Sequence, residues 1–206
     1  MDVYVLGSGP SLTFIEPGFF IGKHVIATNL VGDRLGLYDM PINLLTHSHY
    51  HQDTYLLAET YPHHRFWTPQ GDQGFPGSPG RTDLGNVVHY PHQPTRYDFN
   101  VDTAWPPPGG LLVGSTSLHG SMHLACLHGA STIILVGADC GMIDGQPNHH
   151  DYQSGNLVHD DTMQWLRRWE QHLRAVKARL VDEYGVRIYS LNPFINFNLE
   201  GHTWQG

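Results

Sequence analysis

Thr132-Ile-Ile-Leu-Val-Gly-Ala-Asp139 is the stretch that decides the fold. Its β-branched and leucine side chains run without polar alternation and stop at a glycine and an acid. A strand with no polar alternation has no wet face. Such strands belong to parallel sheets covered on both sides. The expectation is a central parallel strand over residues 132–137.

The flanking segments agree. After it, residues 140–161 are polar and glycine-containing, and read as a loop. Leu166, Trp169, Leu173, Val176 and Leu180 then step by three or four, the spacing of one helix face. Asp161 is placed to cap that helix and Gly185 to end it. Val186-Arg-Ile-Tyr-Ser-Leu191 reads as the last strand, followed by Asn192-Pro193. Before the central strand, Leu118, Met122, Ala125, Cys126 and Gly129 fit a helix. Leu111-Leu-Val-Gly-Ser-Thr-Ser117 reads as a strand running into the start of that helix.

The chain opens with Val3-Tyr-Val-Leu-Gly-Ser-Gly-Pro-Ser-Leu12, a short strand entering a tight glycine turn. Further strands are expected over residues 23–29, 41–46 and 86–90. A helix over 52–61 turns Tyr55, Leu56 and Ala58 to the core and stops at Pro62. Strands alternating with helices or loops imply an α/β fold. The expected architecture is Rossmann-like: a mostly parallel sheet flanked by helices. Residues 1–206 form a single domain, with a Pro/Gly-rich insertion over 68–110.

The bulk composition excludes several classes. A formal net charge of -8 argues against a nucleic-acid-binding surface, although it allows a local nucleotide site. No apolar run approaches the length of a membrane span, and a signal peptide is not expected from the opening residues. Two cysteines, Cys126 and Cys140, make neither a disulfide framework nor a zinc spacing. That suits a reducing cytoplasm. With 16 histidines, any single imidazole is weak evidence of function.

Position is more informative. Gly7-Ser-Gly9, Thr28-Asn29, His47, Asp139 and Asn192 each follow an expected strand, and Gly114-Ser-Thr116 precedes a helix. In a parallel sheet the carboxyl ends of the strands share one edge, where ligands bind. The turn Gly7-Ser-Gly-Pro-Ser11 presents backbone N–H groups suited to phosphate. Ser115-Thr-Ser117 adds hydroxyls and free N–H groups at a helix start. His47 and His49 lie beside the edge as candidate substrate contacts. With His51 they put three imidazoles on one side of an extended chain, an arrangement a metal can use. His159 stands just before the long helix, where an imidazole is suited to general-base work near neutral pH.

Gly7-Ser-Gly-Pro-Ser-Leu12, Thr28-Asn29, Gly114-Ser-Thr-Ser117 and Val136-Gly-Ala-Asp139, in this order, resemble a superfamily of two groups. One is the MptE-like 6-hydroxymethylpterin diphosphokinases. The other is a bacterial family of CMP-sialic-acid-dependent sialyltransferases. The resemblance covers most of the chain, weakly over 68–110. It implies a Rossmann-like domain with a nucleotide held by Gly7, Ser8, Gly9, Pro10, Ser11, Asn29, Ser115, Thr116, Ser117, Gly137 and Asn192. The sialyltransferase side implies a nucleotide-sugar donor and His159 as the base that deprotonates an acceptor hydroxyl. This chain has Ser8 where that group commonly has Asn, and its segment between Asp139 and His159 is not recognisably theirs. The diphosphokinase side implies ATP with magnesium, Asp139 being the natural carboxylate for the metal. A third reading from another class is a non-catalytic nucleotide-binding module. The expected partners are a nucleotide or nucleotide-sugar donor and a small-molecule or glycan acceptor. Nucleic acid and a membrane span are not expected, and a homo-oligomer is left open.

Overall fold

The computed structural model describes residues 1–48, 51–69, 83–91, 100–102, 105–106, 108–112, 116–147 and 162–191. Seven strands form one sheet: β1 (Asp2–Leu6), β2 (His24–Thr28), β3 (Asn43–His47), β4 (Arg65–Pro69), β5 (Val87–Tyr90), β6 (Thr132–Val136) and β7 (Arg187–Ser190). Their spatial order is β5-β4-β3-β2-β1-β6-β7, and every pairing is parallel. The fold is thus α/β and Rossmann-like. The helices among the described residues are α1 (Val31–Arg34), α2 (His51–Thr60), α3 (Ser117–Leu127) and α4 (Thr162–Tyr184), with short 3-10 turns between.

All five residues of β6 are buried, as a central strand requires. Strand alternation sends its side chains to two cores. Ile133 and Leu135 join Val3, Val5 and Ile26 beneath Met122 and Leu124 of α3 and Leu173 and Val176 of α4. Ile134 and Val136 join Leu6, Val25 and Ala27 on the other face, with Leu12, Phe20, Leu37 and Leu57. Helices on both faces explain why β6 carries no polar alternation.

Three expectations are corrected. No strand was expected over 65–69, yet Arg65-Phe-Trp-Thr-Pro69 is β4, and it is an interior strand of the sheet. Its proline lacks the ladder N–H and argues against a strand by sequence. It is tolerated because β3 pairs with β4 only as far as Trp67, so Pro69 has no β3 neighbour to donate to. Residues 68–69 of the Pro/Gly-rich stretch therefore belong to the sheet, as do 87–90, where a strand is expected from sequence. In α2, Leu57 is buried and Leu56 is exposed, so the inward face is Tyr55, Leu57 and Ala58.

The third correction concerns the strand expected before α3. Leu111 and Leu112 are buried but lie outside any strand. The Leu112 N–H donates to His123 Nδ1 at 2.9 Å instead of to a sheet neighbour. Because Nδ1 accepts, the ring is the Nε2–H tautomer, and Nε2 donates to Tyr184 Oη at 2.7 Å. His123 thereby ties the chain entering α3 to the end of α4. Burial holds its pKa down at about 4, so the neutral ring is the folded form.

The pH dependence follows. The unfolded ring protonates near 6.5 and the folded one only near 4, so stability from this site is complete above pH 6.5. It erodes as pH falls from 6.5 toward 4, by up to about 3 kcal/mol. Urea denaturation of the wild type and of His123→Gln at several pH values checks it. The wild type's advantage should shrink across that window; a constant gap would refute the neutral-ring assignment.

Candidate functional site

The order of strands reverses at one place in the sheet. From β1, the chain fills β2 to β5 on one side, then returns to place β6 and β7 on the other. β1 and β6 are neighbours, paired from Asp2↔Thr132 to Leu6↔Val136. The crevice outside the carboxyl ends of such a pair is where parallel α/β sheets bind ligands. Gly7 to Ser11 leave β1 there, and Gly137 to Asp139 leave β6.

The two segments are knitted together by main chain. Gly7 N–H donates to the Val136 carbonyl at 2.8 Å and Gly9 N–H to the Gly137 carbonyl at 2.7 Å. There is no room for side chains. A Cβ on Gly7 would lie 2.6 Å from Gly137 O, and one on Gly137 would lie 2.5 Å from Gly7 O. Asp139 completes the junction. Ser11 N–H donates to its Oδ2 at 2.5 Å, and Ser11 Oγ to its Oδ1 at 2.6 Å. Both residues are buried. The carboxylate thus holds the first turn of the 3-10 helix Pro10–Phe14 against β6.

This bears on the phosphate-cradle expectation. The N–H groups of Gly7, Gly9 and Ser11 are all used inside the protein, and Pro10 has none. Of the five turn residues, only Ser8 is not fully buried. The glycines here serve close approach of two backbones. Among the described residues at this edge, Ser8, Asn29, Thr116, Ser117 and Cys140 are half-buried.

Asn29 follows β2 with φ +53°, in the left-handed region that asparagine tolerates better than most residues. Its N–H donates to the His47 carbonyl at 2.8 Å. Thr116 is the residue before α3, and its side chain makes no capping bond. Its Oγ1 is buried without a hydrogen-bond partner. His47 is buried at the end of β3, with Nδ1 3.0 Å from Ser121 Oγ and Nε2 2.8 Å from Tyr90 Oη. In this arrangement His47 lies behind the edge and does not line its surface.

Cys140, at φ +49°, is a feature the sequence reading passed over. Its thiol is pushed up to about 12 by burial, then by Glu170 and Asp139, with Arg174 opposing. It is a protonated thiol at neutral pH and a poor nucleophile. The network around Ser121 was also missed. The signal available was Gly120-Ser121 in the middle of a helix, where glycine needs a packing reason.

His49, Ser115, His159 and Asn192 lie outside the described residues. Among the described residues no three His, Cys, Asp or Glu side chains converge to hold a metal. Each Asp139 oxygen accepts one hydrogen bond from Ser11. A separate groove of about 350 Å³, lined by Val3, His24, Asn43, Leu45, His64 and His128 among others, opens at the amino ends of the strands. It is on the opposite edge from β1/β6 switch. No helix among the described residues is long and apolar enough to cross a membrane.

No protein-family model matches this chain, and no curated protein or solved structure matches it significantly.

Proposed function

We propose that this chain is a nucleotide-dependent transferase that takes its donor at the carboxyl edge, across β1 and β6. The observation that carries the reading is the coincidence of the strand-order reversal with Ser8, Asn29, Thr116 and Ser117. A Rossmann-like sheet by itself hosts many functions. The position of these polar residues at its switch point is what favours a nucleotide. The resemblance of the strand-end motifs to the sialyltransferase and diphosphokinase superfamily supports transfer chemistry. The preferred version is a sialyltransferase-like glycosyltransferase using a nucleotide sugar, with His159 as the acceptor's base. In that version an acceptor hydroxyl attacks the anomeric carbon of the donor sugar and its proton passes to the imidazole; the bond from that carbon to the phosphate oxygen breaks, and the nucleotide leaves with the electron pair.

Thermal denaturation against CMP, CDP, UDP, AMP and ATP, each with and without magnesium, tests this. CMP is expected to stabilise the protein without metal. A bound nucleotide at roughly a hundredfold excess over its Kd adds about 2.7 kcal/mol. ATP binding that requires magnesium would replace the preferred version with an MptE-like diphosphokinase. Tight binding with no turnover of any donor would leave a binding module. If none of the five stabilises the protein, the nucleotide reading fails.

A further inference from the structure

We propose that Ser121 and His47 are positioning residues that fix the backbone of Asn29 at the carboxyl edge. The consequence for ligand binding rests on the nucleotide reading above; the positioning itself does not.

Ser121 lies in α3, fully buried. Its single hydroxyl meets three elements. It is 2.9 Å from Thr28 Oγ1 at the end of β2, 3.0 Å from His47 Nδ1 at the end of β3, and 3.3 Å from the Ser117 carbonyl in the first turn of α3. His47 continues the chain to Tyr90 Oη of β5 at 2.8 Å. One assignment of hydrogens satisfies all four contacts. Tyr90 O–H donates to His47 Nε2, and His47 Nδ1–H donates to Ser121 Oγ. Thr28 O–H donates to the same oxygen, and Ser121 O–H donates to the Ser117 carbonyl. No hydrogen is used twice, and in this assignment the His47 ring is the Nδ1–H tautomer.

The helix is shaped for this ring. A Cβ on Gly120 would lie 2.5 Å from His47 Cε1, so only glycine lets α3 rest on the imidazole. Asn29 sits between the two anchors. Thr28, its predecessor, is held through its side chain by Ser121. Its own N–H is held by the carbonyl of His47, whose ring Ser121 also holds. A left-handed backbone at a non-glycine residue persists only where its surroundings over-determine it. Here one hydroxyl reaches the amino side of the residue by two routes, through Thr28 and through His47, and ties it to the start of α3. Asn29, Thr116 and Ser117, three of the half-buried edge residues, are therefore set in register by a group that no ligand touches.

Ser121→Ala tests this against Tyr38→Phe. Tyr38 Oη makes a buried bond of 2.7 Å to Thr46 Oγ1, and its ring belongs to the other core, so it controls for loss of any buried hydroxyl. The first readout needs no ligand: hydrogen exchange of the Asn29 amide and its HN–Hα coupling. In Ser121→Ala the amide should exchange about tenfold faster than edge amides of equal global stability, and the coupling should move away from its left-handed value. In Tyr38→Phe neither should change beyond the global shift. The second readout is Kd for whichever nucleotide stabilises the wild type. It should rise about tenfold in Ser121→Ala and stay within about twofold in Tyr38→Phe. Tyr90→Phe, which removes only the far hydroxyl, carries the same readouts if Ser121→Ala is too unstable to use. Unchanged Asn29 exchange and coupling in a folded variant would overturn the proposal. Failure of every nucleotide to bind the wild type would sink the nucleotide reading alone, because the exchange result still decides the positioning.

Discussion

Gly137→Ala is expected to destabilise the protein by about 4 kcal/mol, from two separate causes. Gly137 has φ +64°, where an L side chain is strained. Its added Cβ would also lie 2.5 Å from the Gly7 carbonyl oxygen and 2.7 Å from Leu12 Cγ. The oxygen belongs to main chain that β1 and β6 hold in place, so it cannot swing aside. Gly36→Ala separates the two causes. Gly36 has φ +62° but nothing within 4 Å of its Cβ position. It should lose only about 1–2 kcal/mol, the conformational part alone. Urea denaturation of both variants measures the difference. Equal losses would mean that the β1–β6 junction relaxes freely, against the rigid crossing described above.

Asp139→Ala should cost about 3–5 kcal/mol. Hydrogen bonds to a charged acceptor contribute about 1.5–3 kcal/mol each, and Ser11 makes two of them. Ser11 is 2% exposed, so its N–H and hydroxyl have little access to replacement water. Asp139→Asn should cost less. Its remaining carbonyl oxygen can take the Ser11 N–H, and the Ser11 hydroxyl can turn to accept from the amide. Ser11→Ala removes one of the two bonds and should fall between wild type and Asp139→Ala. The ranking, read from denaturation midpoints, is the test. If Asp139→Ala stays within about 1 kcal/mol of wild type, Asp139 is not the anchor of the turn.

The parallel fold was legible because a few segments state it strongly. Ile133 to Val136 has no polar position, and α4 repeats its apolar residues by three and four over 23 residues. Both signals are local. What escaped was either masked locally or created by distant contacts. Pro69 hid β4, because a proline argues against an interior strand, and sequence does not show that the pairing with β3 stops at Trp67. Leu56 and Leu57 differ by one step of helix phase, which a ten-residue segment fixes poorly. The edge position of Gly7, Ser8, Gly9, Asn29 and Asp139 was readable from strand ends alone. Their partners were not. The approach of Gly7 to Gly137 joins residues far apart in the chain, and the bonds from Ser11 to Asp139 do the same. For that reason a turn that looked built to hold an anion proves to be occupied by its own protein at three of its N–H groups. His47 escaped similarly: nothing near it in sequence names Ser121 and Tyr90 as its neighbours.

The glycine crossing has a consequence for how this edge can change. Where two backbones touch, no substitution offers a graded choice of size or charge; it either leaves the junction intact or forces it open. The floor between β1 and β6 is therefore closed to gradual tuning. On the nucleotide reading proposed above, preference among ligands would be adjusted around the rim, at half-buried residues such as Ser8 and Ser117. A library that randomises Gly7, Gly9 and Gly137 would mostly sample unfolded chains, while one that randomises Ser8 and Ser117 would leave the junction closed.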